Sequence, residues 1–298
     1  MLAAHRRVLS PYFNRLGRYG LVEAQCLTST LISGSTAISF FNDTNYAHSD
    51  LDIYVQSDRR HTLFTFLSEQ GYHFIPPTDV PLTLDTPLNE IECTDRVKVT
   101  YDFLEYDGET INAVYSFQRD GNAKTVQVVA TVQNPLYTIL NFHSTCVMNF
   151  LTYSYAVSLY PALTFIKKAS LTNNRHSSPS DDAICKYKRR GWKYVGERSS
   201  LQLDYRGDTH KVGDEHCWVV KLFHNAREYH HLEGNTWSLG FTHSSRIRMD
   251  CGVLTSPFLV ENYCVDHQIR YNLPPELHRW GDEDYVEFVS DIFNRGAL

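Results

Sequence analysis

Residues 50 to 56, Asp-Leu-Asp-Ile-Tyr-Val-Gln, alternate two kinds of side chain. Asp50, Asp52 and Tyr54 fall on one side and Leu51, Ile53 and Val55 on the other, the period-two pattern of a strand with two different faces. That alternation sets the two carboxylates roughly 7 Å apart on one face. Their repulsion is costly unless positive charge sits between them. A hard divalent cation supplies it: carboxylate oxygens suit Mg²⁺, which keeps several waters and takes phosphate oxygens.

A complementary feature lies upstream. Gly34-Ser35 follows the apolar Leu31-Ile32 and opens a run in which Ala37, Ile38, Phe40 and Phe41 recur at helical spacing, with Ser35 or Thr36 as N-cap. Glycine lets the backbone approach a ligand closely, and the free N–H groups of a helix start favour phosphate. Together the two halves imply a metal-bound polyphosphate, and phosphoryl-type transfer if two ions clamp the attacking and leaving oxygens. The bland alternative is a solvated strand end whose acids pair with Lys or Arg, behind a purely structural turn glycine and a capping serine. Aspartyl-phosphate phosphatases also use Asp-x-Asp, but that pattern wants Thr or Val two positions after the second acid, where Tyr54 stands here.

Around this segment the chain reads as an α/β protein. The first thirty residues predict a helix broken near Gly17 and Gly20, and residues 57–71 a helix that stops at Gly71. Strand-like runs at 97–106, 111–118 and 126–132 are separated by turn residues, which predicts antiparallel hairpins. Asn134-Pro135 predicts a helix start, opening a mainly helical region through about Lys168. A polar linker covers 170–182 and precedes a helix that ends at Gly191. Beyond it, strand-like pieces at 216–223, 236–241 and 245–254 mix with an acidic helix at 282–293. The expected organisation is a domain over 1–133 and a helix-rich region over 134–298, with a soft boundary near 171–182.

These residues resemble a known family. "ISGS…SDLDIYV" is similar to the signature of the polymerase β-type nucleotidyltransferase superfamily: an apolar residue, Gly, Gly or Ser, a helix, then Asp-apolar-Asp-apolar. The "SGSTA…SDLD" form resembles its abortive-infection toxin branch, and the chain as a whole is similar to fungal proteins. The superfamily-level resemblance covers roughly residues 28 to 132. It implies a nucleotidyltransferase-like mixed sheet with flanking helices, with Gly34 and Ser35 holding a nucleoside triphosphate. Asp50 and Asp52 would hold Mg²⁺, up to two ions. It also implies nucleotidyl transfer to an RNA, protein or small-molecule hydroxyl. The superfamily's third carboxylate, which completes the metal site and helps deprotonate the acceptor, is expected in "TVQVVAT", where Gln127 stands. An amide cannot act as a base and ligates Mg²⁺ weakly. Asp102 is the candidate substitute and Glu105 a weaker one. The rival reading is a catalytically inactive descendant of the fold, a nucleotide- or protein-binding module. The fourteen residues between Ser35 and Asp50 are at the long end for this motif.

Composition narrows the alternatives. With 298 residues, 42% hydrophobic and 21% charged, the chain can bury one large core or two ordinary ones. A formal charge of −6 gives no general attraction to nucleic acid. The run Lys186, Lys188, Arg189, Arg190, Lys193 is read as a solvated helix face, with triphosphate or nucleic-acid charge as its alternative. Seven scattered cysteines without a CxxC pair read as reduced thiols, mostly core fillers, in an intracellular protein of the cytoplasm or nucleus. The fourteen histidines lack metal-site spacing, and His143 reads as a satisfied core residue. No run reaches the roughly 20 apolar residues of a membrane span, and residues 1–20 lack the apolar core of a secretory signal.

Overall fold

The computed structural model describes residues 2–46, 49–78, 82–87, 110–173, 181–195, 208–223, 230–242 and 246–295. Chain order begins α1 (Leu2–Leu9), α2 (Arg15–Thr28), β1 (Leu31–Ser33), α3 (Gly34–Asn42) and β2 (Leu51–Gln56). Next come α4 (Arg60–Glu69), β3 (His73–Ile75), β4 (Ile111–Arg119), β5 (Asn122–Thr131) and α5 (Pro135–Leu140). Then follow β6 (Asn149–Leu151), β7 (Tyr155–Ser158), β8 (Ala169–Ser170), α6 (Asp181–Arg189) and β9 (Lys193–Tyr194). The chain goes on through β10 (Thr209–Lys211), β11 (Trp218–Lys221), α7 (His230–Glu233), β12 (Thr236–Phe241) and β13 (Ile247–Asp250). It closes with β14 (Gly252–Leu254), β15 (Tyr263–Val265), α8 (His267–Tyr271) and α9 (Asp282–Asn294).

The protein is mixed α/β around an eight-stranded sheet, order β11-β7-β6-β1-β2-β5-β4-β3. β2 and β5 run parallel and every other neighbouring pair in that sheet is antiparallel. Both faces are covered. Leu51, Ile53 and Val55 of β2 join Val126 and Val128 of β5 in a core beneath α1, α2 and α4. Burying each of these side chains contributes roughly 1.5–3 kcal/mol. Tyr54 and Val129 face the other way, into a second core built with Ile139 of α5, Phe150, Tyr187 of α6, Trp192 and Trp237. Asp52 lies between Leu51 and Ile53, so it shares the Tyr54 face, the one roofed by chain beyond residue 134.

Several local expectations meet the structure directly. The β4–β5 hairpin forms, and Asn134 caps α5 by accepting from Leu136 N–H at 2.7 Å. α6 is present, and the backbone N–H groups of Arg190 and Gly191 close its last turn. The first-thirty-residue helix breaks elsewhere than expected. Gly17 and Gly20 lie inside α2, whose cap is Asn14, and the break falls at residues 10–14, where Pro11 has no N–H to continue α1. Gly20 serves packing instead: a Cβ there would stand 2.9 Å from a ring carbon of Phe66 on α4.

The region from 135 to 168 is not mainly helical. α5 spans only Pro135–Leu140, and β6 and β7 then form a hairpin that joins the central sheet beside β1. Its aromatic and branched residues fill both sheet faces rather than one helical stripe, which is the environment that favours strands. Among the described residues beyond 134, ten strands accompany five α-helices, so the expected helix-rich character is not what is found. β10, β12 and β13 make a separate three-stranded sheet, and α9 packs Tyr285, Val286 and Val289 onto β15 in a small satellite core.

Of the described cysteines, Cys146, Cys251 and Cys264 are buried fillers, whereas Cys26 and Cys185 are exposed. His143 is half-buried and pairs through Nδ1 with the Ser144 hydroxyl at 2.7 Å. No described helix is long and apolar enough to cross a membrane.

Candidate functional site: two aspartates facing a helix start

A row of side chains crosses four strands on the roofed face. Ser33 of β1 is the register partner of Asp52, Asp52 of Gln127, and Gln127 of Ser116 on β4. At Ser33 the strand ends and α3 begins without a linker. Gly34 makes that turn with φ +64°, and a Cβ there would lie 2.2 Å from Asp52 Oδ2. Glycine is required twice over, by the left-handed backbone and by the carboxylate pressed against it. The expected capping by Ser35 or Thr36 is not found. α3 starts at Gly34, the flanking Ser33 makes no side-chain cap bond, and its hydroxyl donates instead to Asn149 C=O at 2.6 Å. The first turn of α3 therefore lacks a side-chain acceptor at its N-cap, which favours an anion there.

Asp52 is 8% exposed, and its carboxylate has no hydrogen-bond partner among the described residues. Burial, reinforced by Asp50 and partly offset by Lys186, pushes its carboxyl up to about 7. Asp50, one residue before β2, is half-buried; burial raises it, while a Thr125 hydrogen bond and the charges of Lys186 and Lys124 pull it back. The two acids are thus held together in a crowded place with little intrinsic compensation. Gln127 occupies the strand position beside Asp52 and can offer only an amide oxygen. Asp102 and Glu105 lie outside the described residues. Among the described residues, no three His, Cys, Asp or Glu side chains converge as a metal-binding group. A cation at Asp50 and Asp52 would take its other ligands from water or a bound phosphate, which is the habit of Mg²⁺.

α6 brings in residues that spacing alone assigned to solvent. Lys186, Lys188, Arg189 and Lys193 are exposed as expected. Arg190, however, donates through Nη1 to Ser35 Oγ at 2.9 Å and lies 3.9 Å over the Tyr46 ring and 5.2 Å from that of Tyr187. Tyr187 is buried. Tyr187 and Arg190 stand three positions apart, and the buried tyrosine within the basic run is the signal that this side of the segment turns inward while Lys186, one turn before Arg190, stays exposed.

An open pocket beside the site is lined by Arg7, Tyr12, Thr36, Ser39, Tyr46 and Lys124. Tyr12 donates its hydroxyl to Ser49 C=O at 2.7 Å, and burial and the two aspartates keep it protonated. A second pocket, at the opposite ends of β1 and β2 near Ser29, Gln56 and Asn262, brings no pair of acids together. No protein family, curated protein or solved structure matches this chain at a significant level.

Proposed function

We propose that this is a nucleotidyltransferase-like protein that binds a nucleoside triphosphate with Mg²⁺ and transfers a nucleotidyl group to an acceptor hydroxyl on an RNA, a protein or a small molecule. The observation that carries the reading is the approach of Gly34 to Asp52, which opposes an uncapped helix start to a buried acid and its half-buried neighbour Asp50. Asp50 and Asp52 hold the cation; a buried, unpartnered carboxylate beside a second one fits a hard oxygen-seeking ion. The N–H groups at Gly34 and Ser35 receive phosphate oxygens. Bound Mg²⁺ supplies charge neutralisation of the triphosphate and polarisation of the phosphoryl group under attack. The sheet of β1, β2 and β5 with α3 at its end is read as the core of that fold.

Gln127 supports a second reading, a module that binds nucleotide or a protein partner without transfer, because no carboxylate stands beside Asp52 on β5 to take the acceptor's proton. Asp102 stays the candidate base. Titration calorimetry of each nucleotide with Mg²⁺ tests binding on wild type, Asp50→Asn and Asp52→Asn; equal affinity in all three would reject the metal assignment. Incubation with labelled nucleotides and cellular RNA or protein tests transfer. Label on an acceptor supports the enzyme, and binding without label supports the module.

A further inference from the structure

The cradle described so far is all acid and backbone on one side, and a polyphosphate carries several negative charges. The positive side of the site comes from α6. Arg190 is held in place by three contacts: its bond to Ser35, its stacking on Tyr46 and its position near Tyr187. No carboxylate pairs with it among the described residues, and apart from the bond to Ser35 its side-chain N–H donors have no partner there. An arginine fixed in this way, with free donors beside a helix start, has the fork geometry that fits phosphate. Lys186 is one helical turn earlier. The residue is solvent-exposed, and its ammonium lies 5.9 Å from the centre of the Tyr187 ring. Burial and Arg190 lower its pKa, while Asp52 and Asp50 pull it upward. Two cations on one helix face, next to a helix start that favours anions, are mutually repulsive until an anion bridges them.

We propose that Arg190 and Lys186 grip the phosphate chain of the ligand, so that the C-terminal half of the protein completes a polyphosphate site whose floor is Gly34, Ser35, Asp50 and Asp52. The ligand class is a linear polyphosphate ester, and the inference deepens the nucleotide reading above. Ser35 is the joint between the halves: it is the second residue of α3 and accepts from Arg190. A ligand phosphate at the start of α3 would meet the Arg190 guanidinium, which already reaches Ser35. The aspartates need the cation to tolerate that phosphate, whereas α6 does not. The two halves of the site therefore respond oppositely to chelation.

The test is calorimetry of the full chain with sodium tripolyphosphate in EDTA and, separately, with ATP and Mg²⁺, on wild type, Arg190→Ala, Arg190→Lys, Lys186→Ala and Asp52→Asn. The expected result is tripolyphosphate binding in EDTA that weakens about tenfold or more in Arg190→Ala and Lys186→Ala. Asp52→Asn strengthens that binding by removing a like charge, and weakens binding of ATP with Mg²⁺. Arg190→Lys keeps the charge and loses the fork, so it falls between wild type and Arg190→Ala. Lys186 sits at an exposed position, so Lys186→Ala decides the matter if Arg190→Ala does not fold. Tripolyphosphate binding that is absent, or indifferent to both α6 substitutions, overturns the proposal. If ATP with Mg²⁺ still depends on Asp52 in that case, the nucleotide reading stands alone. Binding of tripolyphosphate through α6 without any binding of ATP keeps the α6 site and rejects the nucleotide.

Discussion

Asp52 on β2 and Gln127 on β5 are direct register partners in a parallel strand pair, so their side chains stand next to each other on one sheet face. Gln127 therefore occupies the place from which a third carboxylate would complete a metal site. Replacing it tests what the site lacks. Gln127→Glu adds a third acid beside a buried one, and the metal-free protein should lose about 1–3 kcal/mol of stability. Added Mg²⁺ or Mn²⁺ should restore more of that loss than it adds to wild type. Thermal denaturation with EDTA and with each cation measures both effects, and a variant indifferent to cations would detach Gln127 from the site.

Gly34 is the most constrained residue of the region. Gly34→Ala combines a positive φ with a Cβ placed 2.2 Å from Asp52 Oδ2, and it should cost at least about 2 kcal/mol. Asp52→Ala in the same background removes the clash but leaves the backbone strain, so the double variant should recover part of the loss. Chemical denaturation of the two single variants and the double gives the coupling.

Asp52 also predicts how stability depends on pH without metal. Its folded value, about 7, lies above the ordinary 3.8. The folded state then binds more protons than the unfolded state between those values, so stability falls as pH rises through that window. The full loss from this residue is up to about 4 kcal/mol and is complete above about pH 7. Asp52→Asn should flatten the dependence. Mg²⁺, which binds the ionised pair, should raise the melting temperature more at pH 8 than at pH 5. A wild-type profile flat from pH 4 to 7 would contradict the environment assigned to Asp52.

Far from the site, Arg59 ties the turn after β2 to the segment before β15. Its guanidinium reaches both oxygens of Glu261 at 3.0 and 3.2 Å and donates to Val260 C=O at 2.8 Å, and Ser29 donates to the same carboxylate at 2.6 Å. Both side chains are about one-quarter exposed, so the pair is partly shielded from solvent. Glu261→Ala should cost about 1–2 kcal/mol, with nucleotide affinity unchanged. A double-mutant cycle with Arg59→Ala, read by urea denaturation, should give a coupling of about 0.5–1 kcal/mol.

Much of this site is legible in the residues between 31 and 56. Gly34-Ser35 and the alternation of Asp50 and Asp52 are local signals: a positive-φ glycine at a helix start and period-two strand geometry depend on neighbours in the chain. Asn134-Pro135 and the turn residues Asp120, Gly121 and Asn122 joining β4 to β5 are legible for the same reason. The break in the first helix is not legible, because Gly17 and Gly20 look like helix stops when the partner helix is unknown. α4 packs against them, and tertiary packing overrides the intrinsic cost of glycine. Residues 149–158 look helical in sequence because a short apolar run carries no period that separates a buried strand from a buried helix.

The sequence by itself determined the pairing of the two aspartates on one face, the glycine turn before them and the strand–helix–strand order that links them. Those follow from backbone geometry within a few residues. The tertiary structure alone decided that Gln127 stands beside Asp52 and that Gly34 presses on the Asp52 carboxylate. It alone decided that Arg190, 155 residues after Ser35, closes onto the same helix start. Each of these is a contact across strands or between distant segments. Such contacts are set by which faces two hydrophobic cores bury, and no local periodicity encodes them.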